Sequence, residues 1–452
     1  MSAPAPFGAS MAKSHFMFDP DFKNLNHGSF GTYPLAVQTA LRHFQSQVEA
    51  RPDPFIRHIQ PQLIDEARRA VASLLNVPTN ECVFVKNAST GVNTVLRNLV
   101  FKQDDVLVYF DTVYGAVEKT LVSLIETTPL QLRKVQYQLP ISHDELVRKF
   151  LEVVASAKAE GLKVRVAVFD TIVSMPGVRF PFERLIEACR AEGILSVVDG
   201  AHGIGQIPLD LGALQPDFFT TNCHKWLYTP RGSAILYVPL RNQHLIRTTL
   251  PTSWGFIPSP DSPATAPSLM RSSSGKSAFE ELFEFVATTD DTAYLCVPAA
   301  LKFRSQVCGG EDRIYAYLEK LALEAGDIVA AALGTEVMQE PGLKPGEVSQ
   351  LRRCAMATVR LPFAVSGGKQ DPKTASARLT LQAAQAAEVA GEMQKALVRD
   401  YGTFVPVFAH GGWLWTRLSA QVYLEKSDFE WLAGVLSELC NKLVKKFVEP
   451  KL

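Results

Sequence analysis

The chain has 452 residues with 46 basic and 46 acidic side chains, a formal net charge of zero, which leaves no electrostatic footprint for nucleic acid or an anionic membrane and favours a small polar substrate or a protein partner. Hydrophobic residues make up 47% and charged ones 20%, enough for an ample core spread over two or three domains. The cysteines number seven, odd and without a CxxC pair, so neither a disulfide framework nor a metal site is expected and a reducing compartment is.

The opening MSAPAPFGASMAKSHFMFDP lacks an apolar signal core, and no apolar run approaches the roughly 18 residues of a membrane span, so a soluble, cytoplasmic protein is expected. Strands are predicted at Cys82–Lys86, Val106–Phe110, Val164–Asp170, Leu195–Asp199, Asp217–Thr220 and Ala234–Val238. Amphipathic stretches such as Asp144–Lys158 and Phe182–Glu192 lie between several of them. That alternation predicts an α/β fold, a mainly parallel sheet with helices on both faces. The Pro- and Ser-rich stretch Ile257–Lys276 reads as a surface loop. Residues 290–330 read as helical, and Arg352–Pro362 and Leu414–Tyr423 as strands, with a polar loop at Val365–Thr374. A smaller C-terminal α/β domain is therefore expected over 296–452, joined by an N-terminal segment 1–30, with the large domain over 31–295. The terminal PKL loosely resembles the peroxisomal address SKL.

Ligands of an open parallel sheet sit beyond the carboxyl ends of its strands, and three unusual features fall at such ends. After the first strand comes Asn87-Ala88-Ser89-Thr90-Gly91, then the helical pattern VNTVLRNLV. Small hydroxylated residues at a helix start suit a phosphate, or simply cap the helix. Asp199 closes the run ILSVV and precedes Gly200-Ala201-His202; it is either a cap or the partner of a protonated ring nitrogen. Lys225 stands between His224 and Trp226, either a desolvated Schiff-base amine or a lysine whose stem packs while its head reaches water. Together, a phosphate cradle, a carboxylate for a pyridinium and an amine for a carbonyl are the three handles of pyridoxal 5′-phosphate.

The segments LNHGSFGTYP, NASTGVNTVLRN, FDTVYGAVEKT, DTIVSMPGVRFPF, SVVDGAHGIGQ, NCHKWLYTPRG and RLSAQVY, which span residues 25 to 423, resemble the fold-type I pyridoxal-phosphate enzymes of the class V aminotransferase group. The resemblance implies that Lys225 forms the imine and shuttles the Cα proton, and that Asp199 pairs with the pyridine nitrogen. It implies that His202 lies near the ring's phenolic oxygen, and that Ser89, Thr90 and His224 hold the phosphate. Tyr114 would stack on the cofactor, and Arg417 would grip the carboxylate of an amino-acid substrate. His27 would approach the substrate or serve as a turn residue. Thr288 would reach a partner subunit's phosphate site, implying a homodimer with the active site at the subunit interface; Ala287 stands where the pattern has glycine.

Within that group, LNHGSFGT, EARP, GVNTVLRN, SMPGVRFPF, VPLRNQHLIRTTLPTS and RLSAQVYLEKSDFEW are similar to the ergothioneine-forming hercynylcysteine sulfoxide lyases. This implies β-elimination of a cysteine sulfoxide conjugate, with Tyr114 protonating the leaving sulfur and pyruvate and ammonia as co-products. The lyase pattern has histidine after LPTS; here Trp254 follows, able to hold a quaternary ammonium by cation–π contact or marking a different substrate. A desulfurase is not expected, because its nucleophile would have to be Cys354, in a segment that reads as a buried strand. An epimerase or cyclising enzyme on the same cofactor, and a non-catalytic binding protein, are the alternatives.

Overall fold

The computed structural model describes residues 4–259, 275–366 and 377–448. Most of the two loops expected at Ile257–Lys276 and Val365–Thr374, and the terminal PKL, lie outside these residues. The large domain is built on strands β1 (Cys82–Val85), β2 (Asp105–Phe110), β3 (Gln131–Val135) and β4 (Lys163–Asp170), a short hairpin of β5 (Ile172–Val173) and β6 (Val178–Arg179), then β7 (Leu195–Asp199), β8 (Phe218–Asn222) and β9 (Ala234–Tyr237). Without the hairpin they form one seven-stranded sheet in the order β1-β9-β8-β7-β4-β2-β3. Only β9 runs antiparallel to its neighbours.

Strand residues alternate between two cores, as a period of two dictates. Val106, Val108 and Phe110 face one cluster, with Phe150 and Leu185 from the helices His143–Ala159 and Phe182–Glu192. Leu107 and Tyr109 face the other, with Val92 and Leu121 from the helices Ala88–Asn98 and Gly115–Ile125. Burial on both faces is why these strands read as continuous apolar runs. The edge strand β3, Gln-Leu-Arg-Lys-Val, is only partly buried; its charges protect the edge and hide it from a hydrophobicity reading.

The second sheet contains β10 (Met356–Val365), β11 (Leu379–Leu381), β12 (Val407–His410) and β13 (Trp413–Ser419), in the order β11-β10-β13-β12. The strand expected from Arg352 begins only at Met356, because Gln350–Arg352 forms a 3₁₀ turn. Residues of the N-terminal segment bond to this part of the chain: Ala5 N–H to Val307 O at 2.9 Å and Gly8 N–H to Val422 O at 2.8 Å. Among the described residues no helix is long and apolar enough to cross a membrane.

Since β1, β2, β4, β7 and β8 share one direction, their carboxyl ends meet along one edge. That edge carries Asn87–Gly91, Tyr114, Asp170, Asp199 and Lys225.

Candidate active site

Lys225 lies in the one-turn helix Cys223–Trp226 after β8. The residue as a whole is half-buried, yet its amine lies in the interior. Trp226 Nε1–H donates to His202 Nδ1 at 3.3 Å, and His202 Nε2 stands 3.0 Å from Lys225 Nζ. A neutral imidazole carries one N–H. With Nδ1 accepting from the indole, that hydrogen sits on Nε2 and points at the amine, which must accept it through its lone pair. This arrangement suits an unprotonated lysine. Burial, followed by the charge of Arg417, pulls the amine down to about 8, against the opposing pull of Asp199 and Asp170. Burial likewise holds His202 well below the usual histidine range.

Asp199 closes β7, buried, with one carboxylate oxygen accepting Ala201 N–H at 2.9 Å. Beside it in register on β4 stands a second buried carboxyl, Asp170. Registered residues on neighbouring parallel strands lie roughly 4.8 Å apart with side chains on the same face. Two carboxylates so placed resist double ionisation. Burial, and then the Asp199 charge, pushes Asp170 well above the usual carboxylate range, and burial raises Asp199 too. Asp170 was not expected from the sequence, although it bears the same mark as Asp199, a lone acid closing an apolar run.

At the start of the helix Ala88–Asn98, Asn87 Oδ1 accepts from Thr90 N–H at 2.8 Å and from the Thr90 hydroxyl at 3.1 Å. Asn222 takes Ala88 N–H at 2.9 Å. The helix is therefore capped, and Ser89 keeps a hydroxyl without a hydrogen bond among the described residues. Gly91 lets the helix sit on β8: a Cβ there would lie 2.2 Å from Thr220 Oγ1. His224 spends both its backbone N–H (3.3 Å) and its Nδ1–H (2.9 Å) on Ser233 O, and burial lowers it to about 4. Its remaining ring nitrogen is an acceptor, so the imidazole must gain a proton before it can hold an anion, a change that a neighbouring phosphate favours.

Arg417, on β13, is 1% exposed and bonds only to neutral groups: Ser174 O and Asn26 Oδ1 at 2.7 Å, and Ser29 Oγ at 2.8 Å. Among the described residues its Nε–H has no partner, and burial lowers the guanidinium to about 10. Of the two roles open to His27, substrate approach or turn residue, the structure shows it opening the short turn His27–Phe30. Both ring nitrogens are occupied, Nε2 by Lys225 O at 2.6 Å and Nδ1 by the Tyr423 hydroxyl at 2.9 Å. The position is internal because Gly28 and Gly31 let the turn press against Trp226 and His224. Tyr114, just before helix Gly115–Ile125, is 47% exposed, and Trp254 is 69% exposed. Thr288 is exposed as well, while its neighbours Ala287 and Thr289 line a cavity of about 100 Å³ with Thr90 and Pro251. All seven cysteines are buried. Cys354 precedes β10 rather than lying within it, and burial pushes its thiol up to about 11.

Among the described residues neither Asp199 nor Arg417 forms an ion pair, so a buried acid lacks a cation and a buried guanidinium lacks an anion. Lys225 stands beside them with its proton affinity lowered by burial to about 8. Buried charges call for partners, and these fit a ring carrying a protonated nitrogen, joined through its aldehyde to an amine and followed by a substrate carboxylate. Asp199, Lys225 and the Ser89–Thr90 helix start would hold pyridoxal 5′-phosphate, which agrees with what is known of similar chains. The class-V aminotransferase family model matches residues 32–253. The chain is 44% identical over 447 residues to the L-cysteine desulfhydrase-like protein lolT1 of Epichloe uncinata, covering 98% of this chain and 97% of that one. It is 30% identical over 433 residues to the hercynylcysteine sulfoxide lyase of Schizosaccharomyces pombe, covering 95% and 97%. The cysteine desulfurase of Thermococcus onnurineus NA1 shares the fold, with a TM-score of 0.69 at 16% identity over 98% of this chain and all of that one (100%). The chain belongs to the class-V aminotransferase family and is a pyridoxal 5′-phosphate-dependent carbon–sulfur lyase.

Proposed function

We propose that the substrate is a cysteine sulfoxide conjugate, hercynylcysteine sulfoxide, cleaved by β-elimination to a sulfenic acid, which two equivalents of an external thiol reduce to ergothioneine with release of water and a disulfide. The carrying observation is the buried amine of Lys225, 3.0 Å from His202 Nε2 and lowered to about 8, in a site where the buried Arg417 bonds only to neutral groups among the described residues. Bound pyridoxal phosphate supplies the electron sink for the Cα carbanion. Arg417 takes the substrate carboxylate and fixes the Cα–H toward Lys225, whose unprotonated amine accepts that proton. The Cβ–S bond then breaks with its electron pair on sulfur, and Tyr114 protonates the departing sulfenate. The remaining aminoacrylate takes up water and yields pyruvate and ammonia. Trp254 offers an aromatic face to the trimethylammonium of the conjugate.

Purified holoprotein is expected to form pyruvate from hercynylcysteine sulfoxide with a higher kcat/KM than from L-cysteine. Pyruvate from L-cysteine alone defeats the conjugate as substrate. Inversion at Cα without pyruvate marks the epimerase instead.

The active unit is proposed to be a homodimer with the site at the subunit interface. Support comes from large apolar side chains left exposed on the single chain: Phe30 is 70% exposed, Trp254 69% and Tyr114 47%, surface that a second copy would cover. Light scattering is expected to give twice the 49.7 kDa chain mass; a single chain mass at working concentration defeats this assignment.

A further inference from the structure

The short turn His27–Phe30, with Asn26 before it and Gly31 after, touches both ends of the site. Toward the lysine, His27 Nε2 lies 2.6 Å from Lys225 O. A carbonyl only accepts, so the ring hydrogen sits on Nε2, and Nδ1 is left to accept from the Tyr423 hydroxyl at 2.9 Å. Burial lowers His27 to about 3, so the ring stays neutral and in one tautomer throughout the working pH range. Toward the guanidinium, Asn26 Oδ1 and Ser29 Oγ both accept from Arg417 Nη2, at 2.7 and 2.8 Å. Ser29 Oγ in turn donates to Asn26 Oδ1 at 2.9 Å.

The turn has no room to rock. A Cβ on Gly28 would lie 2.9 Å from Met356 Sδ and 3.2 Å from the Trp226 ring. Gly31, at φ +65°, would bring a Cβ to 1.9 Å from His224 O. Gly28 N–H also bonds to Ser419 Oγ at 3.2 Å, two residues beyond Arg417. A displacement at either end is therefore carried to the other through close-packed backbone.

We propose that Asn26–Gly31 is a coupling element in which His27, oriented by Tyr423, positions Lys225 while Asn26 and Ser29 position Arg417, so that the carboxylate anchor and the cofactor lysine keep one fixed relation. None of these four side chains is assigned contact with a reacting atom; they are positioning residues. The inference rests on Lys225 carrying the cofactor and is independent of which conjugate is cleaved, so its main readout needs no substrate.

The test compares holoprotein variants by visible circular dichroism of the lysine-bound cofactor, with melting temperature as a control, and by kcat and KM for pyruvate formation from L-cysteine. His27→Leu is expected to alter the dichroic band and to lower kcat by about 10²-fold, the cost of an ångström-scale misplacement, with a smaller effect on KM. His27→Gln, whose amide N–H can reach the same carbonyl, is expected to recover kcat to within about tenfold of wild type. Ser29→Ala is expected to raise KM and also to alter the dichroic band, although Ser29 makes no bond to Lys225. A folded, loaded His27→Leu with the wild-type band and kcat overturns the positioning role. A Ser29→Ala variant that changes KM but not the band overturns the coupling. If His27→Leu fails to fold, Tyr423→Phe, which keeps the ring and frees Nδ1 together with the Asn24 amide that also bonds the Tyr423 hydroxyl at 2.9 Å, carries the same expectation, and a wild-type band and kcat there overturn the proposal.

Discussion

Lys225 is made reactive by the company it keeps. Burial removes water from the ammonium, and the His202 N–H, fixed by the Trp226 indole, favours the form with a lone pair. Lys225→Ala is expected to abolish the borohydride-stable cofactor adduct and to lower turnover by at least about 10²–10⁴-fold, the worth of a general base; mass spectrometry of the reduced protein checks the adduct. Asp170 invites the opposite experiment. Its folded-state proton affinity is raised by burial and by Asp199, so it contributes stability at low pH that is lost as pH rises above the unfolded carboxyl's range, while the folded group still keeps its proton. Asp170→Asn, neutral at every pH, is expected to raise the melting temperature of the cofactor-free protein at pH 7 and not at pH 4. A lower melting temperature at pH 7 would show that the carboxylate is needed in its charged form.

The helix Ala88–Asn98 was legible as an element because small residues precede a clear helical pattern. Its closeness to β8 was not. Gly91 faces Thr220, which lies far along the chain, and only the assembled sheet shows that a Cβ would strike that side chain. Gly91→Ala is expected to destabilise the protein by about 1–3 kcal/mol through overpacking and to weaken cofactor binding, as measured by thermal unfolding and by the cofactor dissociation constant. The strand β3 escaped notice for the reverse reason: an edge needs charge more than it needs apolar content. His27 stood out because glycines surround it; Gly28 makes room for the Met356 and Trp226 side chains and Gly31 for the His224 backbone, contacts that only the assembled fold shows.

At the scale of the whole molecule, the N-terminal segment, the large sheet and the small sheet meet at Lys225, and acid stability reports that union. Folded His27 resists a proton down to about pH 3, whereas the unfolded chain takes one up near the ordinary 6.5. Stability is therefore lost as pH falls through this window. His27→Gln is expected to flatten the stability–pH slope between about pH 4 and pH 6 by about 1.4 kcal/mol per pH unit, read from urea unfolding at each pH; an unchanged slope would mean that His27 is already solvated.

Read as a line, the chain determines its α/β layering and marks Asp199 and Lys225 as residues that are costly to bury near strand ends. These depend on local patterns: apolar runs of strand length, each closed by one residue that is costly to bury. Tertiary structure alone decided which side chains serve that lysine. His27 and Lys225 are separated by 198 positions and Asn26 and Arg417 by 391. Whether a histidine meets a substrate or a carbonyl is set by which surfaces the fold presses together, and no spacing along the chain encodes that.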